Sequence, residues 1–195
     1  MAEIRIHNPE EAAQLAVLDF SERIGCHFVI VRFPQAYEAE TALGLRKRYL
    51  GELLGIDPAQ VAWLKNENGK PYLEKSEIRF SVSHSGPYWA FAYSNTGNIG
   101  IDLEVWRDWS RLSRIARRVF RDDENQSWME LSDPKEQVGQ ILTLWTRKEA
   151  YIKAKGSQLF RELSKFDAIP SSSPEIDLWT ETQDESFVIS WARLK

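Results

Sequence analysis

The stretch from Leu142 to Gly156 constrains the fold most, because its pattern is that of the end of a long amphipathic helix. The helix is predicted to begin after Asp133, with Pro134 in the first helical position, and to end at Gly156. Residues one turn apart form an apolar stripe along it: Val138, Ile141, Leu142, Trp145 and Ile152. Glu149 lies on the same stripe, and a carboxylate buried there needs a partner.

Two interpretations of Glu149 follow from spacing alone. In the first, it forms an internal ion pair with Lys153, one turn further on, or with the adjacent Lys148. In the second, Glu149 is a metal ligand and Lys153 meets a phosphate. The helix pattern leaves both open.

Composition limits the class of protein. The chain has 195 residues, 43% of them apolar, so it can bury a core as one domain or as two small halves. The net charge of −4 argues against broad nucleic-acid binding. One cysteine and three histidines offer neither a disulfide framework nor a zinc site. With no signal region and no apolar run of membrane-spanning length, we expect a cytoplasmic protein.

The element pattern predicts an α+β fold. Helices are expected over about 8–24, from after Pro34 to Leu54, over about 110–120, and in the long stretch described above. Strands are expected over 26–33, 61–64, 166–169, 176–180 and 187–191. In the middle of the chain, strands over 78–84, 88–93 and 99–105 are predicted to form an antiparallel meander. We expect two related halves, 1–98 and 99–195, each with helices packed on a small antiparallel sheet.

The strand from Ile99 to Val105 carries the first cluster of functional candidates. Alternation places its apolar residues on one face, and Gly100, Asp102 and Glu104 on the other. Two neighbouring carboxylates repel each other and favour a cation between them, and Gly100 leaves room for a bulky group. With Glu149 the set becomes three hard oxygen ligands, which Mg²⁺ prefers. An exposed acidic strand face is the simpler alternative.

A second cluster lies in Phe80–Gly86, where a strand ends in hydroxyls, an imidazole and a glycine turn. Ser83, Ser85 and His84 are groups that can bind a phosphate, although a lone histidine at a strand end is often structural. A hydrolase triad is disfavoured, because Ser83 and His84 are adjacent in a strand and point to opposite faces.

Four blocks in this order resemble the 4′-phosphopantetheinyl transferase family, in its longer, pseudo-dimeric, Sfp-like branch. They are Gly69–Pro71, Phe80–Gly86, Gly100–Glu104 and Trp145–Lys153. The resemblance covers about Leu45 to Gly156 and implies the family's α+β fold of two pseudo-symmetric halves. It also implies transfer of phosphopantetheine from coenzyme A to a serine of an acyl or peptidyl carrier protein, with release of 3′,5′-ADP.

The resemblance further implies roles for individual residues. Asp102, Glu104 and Glu149 would hold Mg²⁺ on the pyrophosphate, and Lys153 would offset phosphate charge. Ser83 and His84 would meet the phosphates of coenzyme A, and Lys70 and Pro71 would line the nucleotide pocket. Glu149, or a water on the metal, would take the serine proton. Lys148 and Arg46 are further candidates for binding coenzyme A, and Glu124 is an additional candidate site residue.

Arginines repeat at helical spacing on the side of the 110–120 helix opposite its apolar residues: Arg111, Arg114, Arg118 and Arg121. A basic face of this kind would steer an acidic carrier protein, and an ordinary solvated face explains the pattern equally well. Neither a nucleic acid nor a membrane is expected as a partner, and a monomer is expected.

Two other functions remain open at this stage. One is a Mg²⁺-dependent hydrolase of coenzyme A or another pyrophosphate, and the other is a non-catalytic module that binds coenzyme A or a carrier protein. The sequence does not specify whether the carrier serves fatty acid, polyketide or nonribosomal peptide synthesis. The usual N-terminal basic residues of the family do not align clearly, and the second glycine after the last block is missing in Gly156–Leu159.

Overall fold

The computed structural model describes residues 6–7, 18–19, 26–34, 36, 38–106, 109–157, 163–169, 172–183 and 186–195. Its helices are α1 (Ala39–Leu54), α2 (Trp109–Val119), α3 (Asp122–Met129) and α4 (Pro134–Lys155), with a short 3-10 helix at Pro58–Gln60. Its strands are β1 (Ile6–His7), β2 (Leu18–Asp19), β3 (Cys26–Arg32), β4 (Leu64–Lys65), β5 (Pro71–Tyr72), β6 (Arg79–Ser85), β7 (Tyr88–Ser94), β8 (Ile99–Val105), β9 (Ser172–Ser173), β10 (Ile176–Gln183) and β11 (Phe187–Leu194). No helix in these ranges is both long and apolar enough to cross a membrane.

The strands form two main sheets that pack face to face. One sheet has the order β1-β3-β7-β6 with β2 also paired to β3, the other has the order β8-β11-β10-β9, and β4 and β5 form a separate hairpin. The core between the sheets joins residues such as Phe28 and Ile30 of β3 to Ile101 and Leu103 of β8. Helix α1 covers the outer face of the first sheet, α4 packs on the second sheet, and α2 and α3 pack against α4. The predicted α+β class is confirmed.

The local signals at the ends of α4 act as expected. The Asp133 side chain accepts a hydrogen bond from the Lys135 backbone, and Pro134 begins the helix. Gly156 ends it in the left-handed conformation, with φ of 69°, where a residue without Cβ has no steric penalty. The short helix α3 was not predicted from the sequence.

The predicted meander in the middle of the chain is wrong. Strand β6 pairs with β7, but β8 leaves that sheet and pairs antiparallel with β11. The turn after β7 explains the departure, because Gly97 lies against the C-terminal strand, where a Cβ would be 2.2 Å from the Leu194 carbonyl oxygen. Leu194 also donates its backbone N–H to the Asn98 carbonyl. The turn therefore delivers the chain to β11 instead of to β7.

Three smaller predictions also need correction. Most of the helix predicted over about 8–24 lies outside the described residues, and Leu18–Asp19 within it forms a strand that pairs with β3. The strand predicted over 61–64 is reduced to Leu64–Lys65, which pairs with Pro71–Tyr72 across the Asn66–Gly69 turn. Residues 166–169 form no strand, because their carbonyls instead accept hydrogen bonds from α4 side chains.

Candidate functional site

Gly100 sets the distance between β8 and α4. A Cβ at this position would lie 2.0 Å from the Ala150 carbonyl oxygen and 2.3 Å from the Ala154 nitrogen. Only glycine allows the helix backbone to approach the strand this closely. The space expected for a bulky group beside Gly100 is therefore filled by α4 itself, which brings the Glu149 and Lys153 side chains next to the carboxylates of β8.

Lys153 forms the closest contact across this junction. Its Nζ lies 2.6 Å from Asp102 Oδ1 and 3.1 Å from Ser83 Oγ. Asp102 is buried, whereas the Lys153 side chain keeps about a third of its surface exposed. The two lysines considered as partners of Glu149 therefore pair with other carboxylates. Lys153 pairs with Asp102, and Lys148 pairs with Glu124.

Glu149 carries a strongly perturbed carboxyl group. Burial, followed by the negative charge of Asp102, raises the pKa of Glu149 to about 8. Lys153 opposes this shift, and Glu104 adds to it. The electrostatic effects of Asp102 and Glu104 on Glu149 show that the carboxyl groups of β8 and α4 lie near one another.

The serines of β6 hold the inner edge of β8. Ser81, Ser83 and Ser85 are all buried on one face of β6. Their hydroxyl oxygens accept the backbone N–H groups of Ile101, Leu103 and Val105, at 3.1, 3.2 and 3.2 Å. Small residues on β7 leave room for this contact, since Ser81 and Ser83 stand opposite Ala92 and Ala90. β8 lies at the edge of its sheet, with β11 on one side. The serine hydroxyls satisfy backbone N–H groups on its other side.

The same hydroxyls also reach the acidic side chains. Ser83 donates to Asp102 Oδ1 at 2.8 Å, and Ser85 donates to Glu104 Oε2 at 2.7 Å. The Ser83 oxygen accepts from both Leu103 and Lys153, so its two lone pairs and its proton are all engaged. This differs from the predicted contact between the Ser83 hydroxyl and a phosphate, because the proton is committed to Asp102.

His84 lies on the opposite face of β6 and is exposed. Burial of part of the ring and the positive charge of Lys153 lower the pKa of His84, whereas Glu104 and Asp102 oppose the shift. The imidazole is therefore mainly neutral at pH 7, and a neutral ring carries one N–H donor. Its electrostatic neighbours place it at the edge of the acidic cluster.

Lys70 and Pro71 line a cavity of about 170 Å³ between the β4–β5 hairpin and the end of α4. The hairpin is anchored to the helix by Asn66 and Asn68, whose amide groups both donate to the Gly156 carbonyl. Lys70 Nζ donates to the carbonyls of Ala154 and Ile99, at 2.8 and 3.2 Å. Burial lowers the pKa of Lys70 to about 8.

Lys148 does not fit its predicted role in binding the cofactor. Its side chain is fully buried, 2.7 Å from Glu124 Oε1, and it also donates to the carbonyls of Leu163 and Phe166. Glu124, likewise fully buried, accepts from the backbone of Ala168. Both residues therefore join α3 and α4 to the segment after α4, instead of facing the carboxylates on β8.

The remaining basic candidates are scattered. Arg46 lies on α1 with its guanidinium 5.1 Å from the centre of the Trp63 ring. On α2, Arg111, Arg114 and Arg118 are exposed. Arg121 is half-buried and engaged by both oxygens of Asp123, so the predicted stripe has three solvated members and one that is already paired.

The donor set fits a hard divalent cation. Within the described ranges, no group of three or more histidine, cysteine or acidic side chains is already arranged to hold a metal ion. Asp102 Oδ2, however, is buried with no hydrogen-bond partner in this part of the chain. A buried anionic oxygen without a donor is costly, and oxygen ligands of this kind suit Mg²⁺.

Comparison with known proteins agrees with this arrangement. The model of the 4′-phosphopantetheinyl transferase superfamily matches residues 98–193, which include β8, α4 and the second sheet. The 4′-phosphopantetheinyl transferase gsp of Aneurinibacillus migulanus is 33% identical over 140 residues, 70% of this chain and 55% of that protein. The 4′-phosphopantetheinyl transferase HetI of Nostoc sp. is 37% identical over 129 residues, 64% of this chain and 54% of that protein.

The match to a Bacillus subtilis protein extends further. This 4′-phosphopantetheinyl transferase is 30% identical over 161 residues, which are 80% of this chain and 68% of that protein. The chain spans only a little over half the length of the Aneurinibacillus and Nostoc relatives. The four sequence blocks, the α+β architecture and these similarities together show that the chain belongs to the 4′-phosphopantetheinyl transferase family.

Proposed function

We propose that this protein transfers the 4′-phosphopantetheine group of coenzyme A to a serine of an apo acyl or peptidyl carrier protein in a Mg²⁺-dependent reaction. The observation that carries the proposal is the meeting of Asp102 and Glu104 on β8 with Glu149 and Lys153 on α4. These residues come from two of the four family-like blocks, and the relatives reported above are named 4′-phosphopantetheinyl transferases.

The acidic cluster supplies the site for the metal. Asp102, Glu104 and Glu149 would hold Mg²⁺, which would neutralise charge on the pyrophosphate. Lys153 would add a positive charge from the protein, since its ammonium group lies between Asp102 and Ser83. Displacement at phosphorus depends mainly on positioning and charge neutralisation, which Mg²⁺ held by the three carboxylates would provide together with Lys153.

The reaction breaks one phosphorus–oxygen bond and forms another. The carrier serine oxygen attacks the phosphorus that bears the pantetheine arm, the bond to the adenosine-side phosphate breaks, and 3′,5′-ADP leaves. Glu149 is the acceptor for the serine proton in this proposal. The neighbouring cation would favour the ionised form of its carboxylate, which is the form that accepts a proton.

The nucleotide is proposed to lie between β6 and the β4–β5 hairpin. His84 is exposed and is proposed to contact the 3′-phosphate, and Lys70 and Pro71 line the cavity beside the end of α4. Arg46 on α1 remains a further candidate contact. Lys148 is left out of this proposal because it is fully buried against Glu124.

The carrier is proposed to approach along α2. Arg111, Arg114 and Arg118 are exposed there, and Leu112 and Ile115 line a small apolar cavity that extends to Glu104. Basic side chains would steer an acidic partner, with an association rate that falls as salt is added. We place the reaction in the cytoplasm and expect a monomer.

The direct test is the intact mass of a panel of apo carrier proteins after incubation with the protein, coenzyme A and Mg²⁺. A gain of one phosphopantetheine that is lost with EDTA supports the proposal. Asp102→Asn and Glu149→Gln should abolish the gain, whereas Glu136→Gln, an exposed carboxylate in the first turn of α4, should not. No gain on any carrier, with the protein folded and coenzyme A bound, would leave a non-catalytic binding module.

A further inference from the structure

Two serines of β6 repeat one pair of hydrogen bonds along β8. The Ser83 oxygen accepts the Leu103 N–H and donates to the Asp102 carboxylate. Two residues further on, the Ser85 oxygen accepts the Val105 N–H and donates to the Glu104 carboxylate. Each hydroxyl therefore bridges a backbone donor of β8 to the acidic side chain one residue earlier.

The backbone N–H determines the direction of each bridge. An N–H group can only donate, so it uses a lone pair of the serine oxygen and leaves the hydroxyl proton for the carboxylate. If the hydroxyl proton turned away, the carboxylate would lose this donor. Both serines are buried, at 6% and 5% exposure, so water does not readily replace them as donors.

For Asp102 the bridge also separates the two carboxylate oxygens. Oδ1 accepts hydrogen bonds from Ser83 and Lys153, whereas Oδ2 is buried and accepts no hydrogen bond from any described residue. A carboxylate fixed through one oxygen presents the other in a single direction, and hydrogen bonds of this kind orient metal ligands in proteins. Asp102 Oδ2 is accordingly the atom available for a cation.

We propose that Ser83 and Ser85 are positioning residues that orient Asp102 and Glu104 for the divalent cation, with their hydroxyl protons directed at these carboxylates and not at a phosphate. The inference rests on the proposed function, because it assigns a role toward the metal of that site. Ser85 is the better residue to test, since Ser83 also contacts Lys153.

The chain contains a matched control in Ser81. Its oxygen accepts the Ile101 N–H at 3.1 Å, within 0.1 Å of the corresponding Ser85 distance, and it is equally buried. The residue one position before Ile101 is Gly100, which has no carboxylate. Ser81→Ala thus removes the same support from β8 as Ser85→Ala, but leaves both acidic ligands with their donors.

The experiment measures the affinity for Mn²⁺, by the loss of the free-ion electron paramagnetic resonance signal, with saturating coenzyme A and no carrier protein. Ser85→Ala should bind Mn²⁺ about 10-fold more weakly, and Ser85→Thr, which keeps the hydroxyl, should recover most of the affinity. Ser81→Ala should bind Mn²⁺ like the wild type. Affinity for coenzyme A with EDTA present should be equal in all four proteins, and thermal unfolding confirms that each is folded.

The outcomes separate this inference from the proposed function. Unchanged Mn²⁺ affinity in Ser85→Ala, or an equal loss in Ser81→Ala, overturns the inference while the proposed function stands. A loss in Ser85→Thr as large as in Ser85→Ala also overturns it, because packing and not the hydroxyl would then be responsible. Failure of the wild-type protein to bind Mn²⁺ with coenzyme A overturns the metal assignment itself, and the inference with it.

Discussion

Lys153 Nζ lies 2.6 Å from Asp102 Oδ1, so an ammonium group from α4 balances a buried carboxylate on β8. The pair joins the two elements that carry the candidate site, and the charges of Asp102, Glu104 and Lys153 all act on Glu149. A divalent cation bound among these carboxylates would offset the same negative charge that Lys153 offsets. If the proposed cation binds here, stability and cation binding are coupled at this position.

Lys153→Met tests this coupling. Without the ammonium group, Asp102 is buried without its positive partner, and we expect the metal-free protein to lose about 1–3 kcal/mol of unfolding free energy, given the partial exposure of Lys153. Added Mg²⁺ should raise the melting temperature of the variant more than that of the wild type. Lys155→Met, an exposed lysine in the same last turn, is the control. Equal Mg²⁺ responses in all three proteins would contradict the coupling.

Lys148→Met tests the structural role of the buried pair. Removal of one partner leaves Glu124 as an uncompensated charge in the interior, and breaking such pairs costs about 3–5 kcal/mol. Urea unfolding measures the loss. Affinity for coenzyme A, measured by calorimetry on the folded variant, should stay at the wild-type value. A selective loss of that affinity with little change in stability would instead restore Lys148 as a ligand of the cofactor.

Lys70 predicts a specific dependence of stability on pH. Burial lowers the pKa of Lys70 to about 8 in the folded protein, whereas an unfolded chain has a lysine pKa of about 10.4. Between these values the unfolded state binds more protons, so the contribution of Lys70 to stability grows as the pH rises and is lost as it falls through about 8. The free energy of unfolding should therefore increase in the wild type relative to Lys70→Met between pH 8 and about 10. A difference that does not vary with pH would argue against the lowered pKa.

Gly100→Ala tests the close approach of α4. The new methyl group would meet backbone atoms of Ala150 and Ala154, which cannot move aside as a flexible side chain would. We expect a loss of about 1–3 kcal/mol or more, together with displacement of Glu149 and Lys153 from Asp102. Gly44→Ala on α1, where nothing lies within 4 Å of the added Cβ, should be neutral or stabilising. A Gly100→Ala protein as stable as the wild type would show that the helix is not held at this distance.

Local patterns in the sequence predicted several of the individual elements. Alternation in Ile99–Val105 placed Asp102 and Glu104 on one face, and the cap signals of α4 located its ends. The pairing of β8 with β11 was missed, because it joins segments more than 80 residues apart and no local pattern records it. The meander predicted in its place assumed that strands adjacent in the sequence also pair.

The partners of the polar side chains were harder to predict. Ser83 and Ser85 were recognised as polar groups near the site, but a phosphate and a neighbouring carboxylate are equally plausible acceptors until β6 and β8 are seen side by side. The role of Lys148 was mispredicted for a related reason. Lys148 is adjacent to Glu149 in the sequence, but consecutive residues of a helix point about 100° apart, so the two side chains have different neighbours. Asn66 and Asn68 had no signal beyond that of a turn, although both reach the end of α4.

The most direct test of the central claim counts 3′,5′-ADP against modified carrier in one reaction. With coenzyme A, Mg²⁺ and an apo carrier that the protein modifies, each phosphopantetheine added should release one 3′,5′-ADP. A carrier with its acceptor serine changed to alanine should release none. Release of 3′,5′-ADP without an acceptor serine would contradict transfer and identify a hydrolase of coenzyme A instead.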